Sequence, residues 1–315
     1  MNLKRRTFIK TTGAAIVGMS LPFSANGGEF FKSIPKYQLC LFSKHLQYLN
    51  FQEMSEIIAR TGFDGVDLTV RPGGHIEPEN IDKDLPKAIM AAQSSGLTIP
   101  MITTNITDPD DTISKKVIKV ASDNGVKYYR MGSMKYDHSM SIEANLKTFR
   151  KVFQKFELIN QNYSIHGDYQ NHWGARFGAS IWDLYQVLNG LDPQWVGCQY
   201  DIRHAVAEGG GSWMLGMKAI APYISSTAMK DFIWFNDQTW KPKSVPLGTG
   251  MVNFDAYFEE FKHLENTGPI SLHYEYGIGN AKDRHSPDLT DTKIVEFYKK
   301  DLDELKKRMT EAGLR

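Results

Sequence analysis

From Tyr37 onward the chain alternates short apolar runs of strand character with amphipathic, helix-length stretches, eight times over and without a long linker. The runs begin at Tyr37, Gly65, Leu97, Val126, Tyr163, Trp195, Tyr223 and Pro269. Strands buried on both faces read as continuous apolar runs, and parallel neighbours need a helical crossover between them. Several helical stretches stop the same way, at Arg60-Thr-Gly62, Ser94-Ser-Gly96 and Asp123-Asn-Gly125, where glycine supplies a left-handed cap. A repeated strand–helix unit of this kind predicts one α/β domain, a (β/α)8 TIM barrel over 36–315. An open doubly wound sheet would want a Gly-rich phosphate turn after its first strand, and Phe42-Ser-Lys-His45 contains no glycine.

Four of the runs end abruptly in polar residues. Tyr163-Ser-Ile-His-Gly-Asp-Tyr-Gln-Asn-His-Trp-Gly174 closes on Gln170 and His172, and Val196-Gly-Cys-Gln-Tyr-Asp-Ile-Arg-His204 on Asp201 and His204. Met229-Lys-Asp231 and Ser271-Leu-His-Tyr-Glu275 repeat the pattern. In a parallel barrel those ends meet at one mouth, where active sites of this architecture lie. Asp201 and Glu275 are the strongest candidates, because a carboxylate after an apolar strand is poorly explained by packing; the bland alternative is a salt bridge to Lys230. His172 and His204 are further candidates, with a hydrogen-bonded structural histidine as the alternative for either. His204 is expected in the turn after the strand, within reach of substrate oxygens. Lys230 is expected to stabilise an oxyanion or enolate, with neutralisation of Asp201 and Glu275 as the alternative, and Lys44, Arg71 and His75 to stand on the rim. Trp173, Trp213 and Trp234 are candidates for a platform under a sugar's apolar face, with core packing as the alternative.

The net charge of +1 carries no broad footprint for nucleic acid. The two cysteines, Cys40 and Cys198, fall on strands that are not neighbours in an eight-stranded barrel, so both are read as buried free thiols. Residues 1–25 have the features of a twin-arginine export signal: Lys4-Arg-Arg-Thr-Phe-Ile-Lys10, an apolar run from Thr12 to Phe23, and cleavage expected near Ala25. Residues 26–35 read as a leader. The expected destination is the periplasm, the alternative an uncleaved N-terminal membrane anchor.

Taken together, Gly62-Phe-Asp-Gly-Val-Asp-Leu68, Asn171-His-Trp-Gly174, Tyr200-Asp-Ile-Arg-His-Ala205, Met229-Lys-Asp-Phe232, Pro246-Leu-Gly-Thr-Gly-Met-Val-Asn-Phe254 and His273-Tyr-Glu-Tyr276 resemble the xylose isomerase-like TIM barrel superfamily of sugar isomerases and epimerases. That resemblance implies a divalent metal (Mn2+, Mg2+ or Zn2+) held by a Glu, an Asp, a His and a Glu ending strands five to eight. The Asp corresponds to Asp201 and the last Glu to Glu275. Gln170 stands in place of the first Glu and Ala228 in place of the His, so one ligand becomes an amide and the imidazole is missing. Of the two glutamates with which family epimerases work opposite sugar faces, only Glu275 remains, leaving His172 as the second acid/base. The resemblance therefore implies proton abstraction next to a sugar carbonyl, and the expected export argues for a free sugar or glycoside rather than a phosphorylated intracellular substrate. A lyase or hydrolase acting on 3-keto-glycosides and a non-catalytic carbohydrate-binding barrel are the alternatives. A small-molecule sugar is the expected partner, with a homo-oligomer left open.

Overall fold

The structure, a computed structural model, describes residues 36–235, 241–264, 268–277 and 290–315. The export signal and leader expected over 1–35 lie outside the described residues.

Eight parallel strands close on themselves. They are β1 (Leu39–Phe42), β2 (Gly65–Thr69), β3 (Thr98–Thr103), β4 (Tyr128–Arg130), β5 (His166–Gln170), β6 (Val196–Asp201), β7 (Ile224–Met229) and β10 (Ile270–Leu272). Each pairs with its neighbour in sequence, and β10 with both β7 and β1, closing the barrel. Helices α1 (Phe51–Thr61), α2 (Ile81–Ser94), α3 (Thr112–Asp123), α4 (Ile142–Tyr163), α5 (Ile181–Leu188), α7 (Trp213–Ile220), α8 (Phe254–Phe261) and α9 (Asp291–Glu311) surround it. Their ends follow local chemistry. Asn50 caps α1 by accepting the Gln52 and Glu53 amides while Glu53 reaches back to the Asn50 amide, and Gly62 ends the helix at φ +95°. Asp111, Ser141 and Asn253 cap α3, α4 and α8, each side chain accepting one first-turn amide.

Alternate residues along each strand face outward to the helices or inward to the barrel axis. The outward set (Leu39, Leu41, Val66, Leu68, Val196 and Cys198 among it) is wholly buried. The inward set is unusually polar: Asp67 accepts hydrogen bonds from Thr103 (2.7 Å) and Ser271 (2.8 Å), and its carboxyl is pushed above the ordinary aspartate value by burial. Cys40 and Cys198 are buried and free, and β1 and β6 are not neighbours in the closed order.

Two elements depart from the sequence reading. The residues after Asp201 form a helix, α6 (Ile202–Gly209), rather than a turn, with Asp201 itself as the N-cap. An antiparallel hairpin, β8 (Asp231–Phe235) with β9 (Lys241–Val245), is inserted after β7. The Asp231 carboxylate anchors the returning chain by accepting the amides of Phe232 (2.8 Å), Gly250 (2.7 Å) and Val252 (3.1 Å). A Cβ on Gly250 would lie 2.3 Å from Asp231 Oδ1, so only glycine admits this approach.

Candidate active site

The C-terminal ends of the strands enclose a cavity of about 220 Å3. Its wall draws on nearly every strand: Phe42 and Lys44 at the end of β1, Arg71 after β2, Thr104 after β3, Arg130 from β4, Gln170 and His172 from β5, Lys230 after β7, and His273 and Glu275 after β10. The register sets this ring, because Gln170 pairs with Gln199, Asp201 with Ala228 and Met229 with Leu272.

At its base sits Asp201, wholly buried. Its Oδ2 accepts from Gln170 Nε2 at 2.7 Å and Lys230 Nζ at 2.8 Å, and its Oδ1 accepts the His204 amide at 3.2 Å. Asn171, also buried, clamps the same residue's backbone, its Oδ1 accepting the Asp201 amide (2.7 Å) and its Nδ2 donating to the Asp201 carbonyl (3.0 Å). Lys230 Nζ lies 3.7 Å from Glu275 Oε1 and 2.9 Å from His204 Nε2. The ammonium thus stands between two carboxylates.

Charge and burial tune these groups in opposite directions. Burial raises the Asp201 carboxyl, with Lys230 opposing. Lys230 pulls Glu275 down to about 2; its carboxylate is 29 % accessible, so here the neighbouring charge outweighs burial. Burial, followed by Lys230, lowers His172 to about 4 and His204 well below the ordinary histidine value, leaving both rings neutral. The two rings lie 4.0 Å apart at 33°. His204 Nδ1 meets Arg203 Nη1 at 2.9 Å and its Nε2 meets Lys230 Nζ at 2.9 Å; a neutral ring has one lone pair and accepts from only one of these two donors. His172 Nδ1 donates to the Trp173 carbonyl at 2.9 Å, leaving a lone pair on its Nε2.

The sequence candidates divide accordingly. Gln170, His172, Lys230, Glu275, Lys44 and Arg71 line the cavity, and Asp201 lies directly beneath it. His204 is not on a rim turn; it sits in the first turn of α6, 1 % exposed, under Lys230. His75 does not reach the mouth: its Nδ1 meets Ser43 Oγ (3.1 Å) and its Nε2 the Leu46 carbonyl (3.0 Å), so it ties the β1 and β2 loops together. None of Trp173, Trp213 and Trp234 lines the cavity. Trp213 packs from α7 toward Tyr257 of α8, and the hairpin carries Trp234 to a partly exposed position beside Phe232. The aromatic wall is Phe42, stacked on His273 at 4.3 Å, an arrangement the apolar β1 sequence did not reveal. Arg130 was also missed, although it ends its strand just as Gln170 and Asp201 end theirs; Arg176 comes from a loop and carried no such signal.

A sequence-family model described as "Xylose isomerase-like TIM barrel" matches residues 55–293. The chain belongs to the xylose isomerase-like TIM barrel family. Among curated protein sequences none matches significantly. Several solved structures share the family's barrel. The IOLI protein with a bound zinc atom superposes with a TM-score of 0.66 at 17 % identity, covering 85 % of this chain and 97 % of that one. D-allulose 3-epimerase from Methylomonas sp. in complex with D-allulose gives 0.64 at 15 %, with 87 % and 98 % covered. The 3-keto-D-glucoside 4-epimerase YcjR from E. coli gives 0.63 at 12 %, with 86 % and 99 % covered. At these identities the likeness is one of fold.

The ligand set that the family resemblance implies is not assembled for a metal in this barrel. A divalent ion needs oxygen or imidazole lone pairs converging on one point. Here Asp201 Oδ2 faces the amide nitrogen of Gln170 and the ammonium of Lys230, and the Gln170 carbonyl oxygen accepts from Arg130 Nη1 at 3.0 Å. Reversing that amide would set its oxygen against Asp201 and its NH2 against Arg130. The strand-seven position is Ala228, wholly buried. Among the described residues no group of three or more His, Cys, Asp or Glu is placed to share an ion. These residues do not fit a divalent metal, because Lys230 stands where the two carboxylates would grip it.

Proposed function

We propose that this barrel moves a proton at the carbon beside a sugar carbonyl, as an isomerase or epimerase does. The observation that carries the reading is the Lys230 ammonium, held by Asp201 and facing the same cavity as Glu275 and His172. A substrate carbonyl oxygen set against Lys230 Nζ meets a fixed positive charge on a buried side chain, which favours the enediolate that forms when the neighbouring proton leaves. Asp201 orients the ammonium, and Gln170 and Asn171 orient Asp201. Glu275, ionised across the physiological range, takes the proton; the His172 Nε2 lone pair is the second proton carrier of the same cavity.

A second reading, elimination from a keto-glycoside, is favoured by one feature: Glu275 is the single carboxylate among the described cavity residues, and elimination needs one base where epimerisation needs two. Residues 1–25 are proposed as a twin-arginine export signal delivering the enzyme to the periplasm.

Exchange of substrate protons with D2O, followed by NMR over a panel of ketoses and 3-keto-glycosides, tests the reaction. The expected result is exchange at the carbon next to the carbonyl, reduced about 10²-fold or more in Glu275→Gln. Exchange undiminished in that variant would remove Glu275 as the base.

A further inference from the structure

The chain as a whole is nearly neutral, +1 over 315 residues, yet its cavity is not. Five cationic side chains, Lys44, Arg71, Arg130, Arg176 and Lys230, line it against one carboxylate, Glu275. Even counting the buried Asp67 and Asp201 beneath the floor as charged, three acids answer five bases. The ion pairs do not spread evenly. Lys230 has both Asp201 and Glu275, whereas among the described residues no carboxylate comes within 4.0 Å of Lys44, Arg71, Arg130 or Arg176.

The unpaired cations are held in place rather than trailing into solvent. The Arg71 and Arg130 guanidiniums stand 5.6 Å and 5.1 Å from the centre of the same Phe42 ring, and Arg130 also donates to Gln170. Lys44, Arg71, Arg130 and Arg176 are each only partly exposed. His273, 4 % exposed and lining the same wall, has a buried Nε2 that makes no hydrogen bond and lies 3.8 Å from Asp67 Oδ2, so it adds no free donor to the anion site. Withdrawing positive charge from water without a counter-charge is unfavourable, and like charges brought to one ring repel. An arrangement of this kind becomes favourable when a bound anion completes it, and the planar guanidinium fork suits both carboxylate and phosphate oxygens.

We infer that the substrate is an acidic sugar, carrying a carboxylate or phosphate that is held by the Arg71–Arg130 side of the cavity while its carbonyl faces Lys230. This rests on the sugar chemistry proposed above, but it concerns binding and can be tested without turnover. The anionic group anchors one end of the molecule; Lys230 and Glu275 act at the other. The site then discriminates against neutral sugars, because without the anion the cations of the described cavity outnumber its acids.

Calorimetric titration of the full chain with glucose, glucuronate and glucose 6-phosphate separates the cases. The expected result is that at least one acid binds about tenfold or more tightly than glucose, that its affinity falls with added salt, and that Arg71→Gln removes about tenfold of it. The preferred acid tells carboxylate from phosphate. Should Arg71→Gln fail to fold by circular dichroism, Lys44→Met gives the same reading. Glucose binding as tightly as both acids, or acid binding unchanged in the folded variants, overturns the inference, as does failure of both acids and of inorganic phosphate to bind. A protein that binds acids without exchanging their protons refutes the proposed reaction but keeps the anion site. One that exchanges neutral ketoses and ignores acids does the reverse.

Discussion

Lys230 Nζ stands 2.8 Å from Asp201 Oδ2, and the two side chains are 2 % and 0 % accessible. Such a pair is more valuable intact than either half alone, since removing one partner strands the other in a low-dielectric interior.

Lys230→Met is therefore expected to lower stability to urea by about 3 kcal/mol, the lower end of the usual cost of breaking a buried pair. Burial already raises Asp201, so the stranded carboxyl escapes part of the penalty by taking up a proton. The double variant Lys230→Met/Asp201→Asn should recover part of the loss. A double variant as unstable as the sum of the singles would show that the pair is not coupled.

Glu275 carries a pH signature. Lys230 holds it at about 2, below the ordinary glutamate value of 4.5. A carboxylate lowered on folding stabilises the native state fully above its unfolded value and loses that contribution as pH falls through the folded one. The stability difference between wild type and Glu275→Gln should stay constant from about pH 7 to 5 and narrow between about 4.5 and 2. Denaturant titrations at stepped pH measure it, and a difference flat to about pH 3 would mean that the Lys230 charge does not reach Glu275.

His172 should titrate near 4 in ring-proton NMR, because burial and then the Lys230 charge disfavour its imidazolium. Taking that charge away in Lys230→Met should move the midpoint upward, toward the ordinary value. A midpoint near 6.5 in the wild type would mean that the ring is solvated and does not face the cavity as described.

Metal dependence gives a fourth measurement. With Lys230 between the acids, proton exchange by the purified protein is expected to survive prolonged treatment with EDTA, and metal analysis to find less than one divalent ion per chain. Loss of exchange on chelation, restored by Zn2+ or Mn2+, would show that Lys230 swings aside to admit an ion.

Much of this was readable from the chain because the signals are local. A glycine at a helix end, an asparagine ahead of Phe51 and an apolar run of strand length act within a few residues, so the eight-stranded alternation could be counted before any contact was known. The same holds for Gln170, Asp201 and Glu275, whose change from apolar to polar marks a strand's end. Helix α6 was legible in principle, since Asp201 ahead of Ile-Arg-His is an ordinary N-cap, but the polar strand end drew the other reading. The hairpin carrying Trp234 had only a short apolar run to announce it.

The sequence by itself thus determined the barrel, its order and the strand-end groups Gln170, Asp201, Lys230 and Glu275, but not Arg130, Arg176 or the Phe42 wall. Only closure of the barrel decided what those groups do to one another. Lys230 comes between Asp201 and Glu275, and Arg71 and Arg130 meet at one Phe42 ring, because registers across separate strands bring together residues far apart in the chain. Periodicity records which way a side chain points from its own strand. Distances between strands, and with them every charge pairing in this site, exist only in the closed sheet.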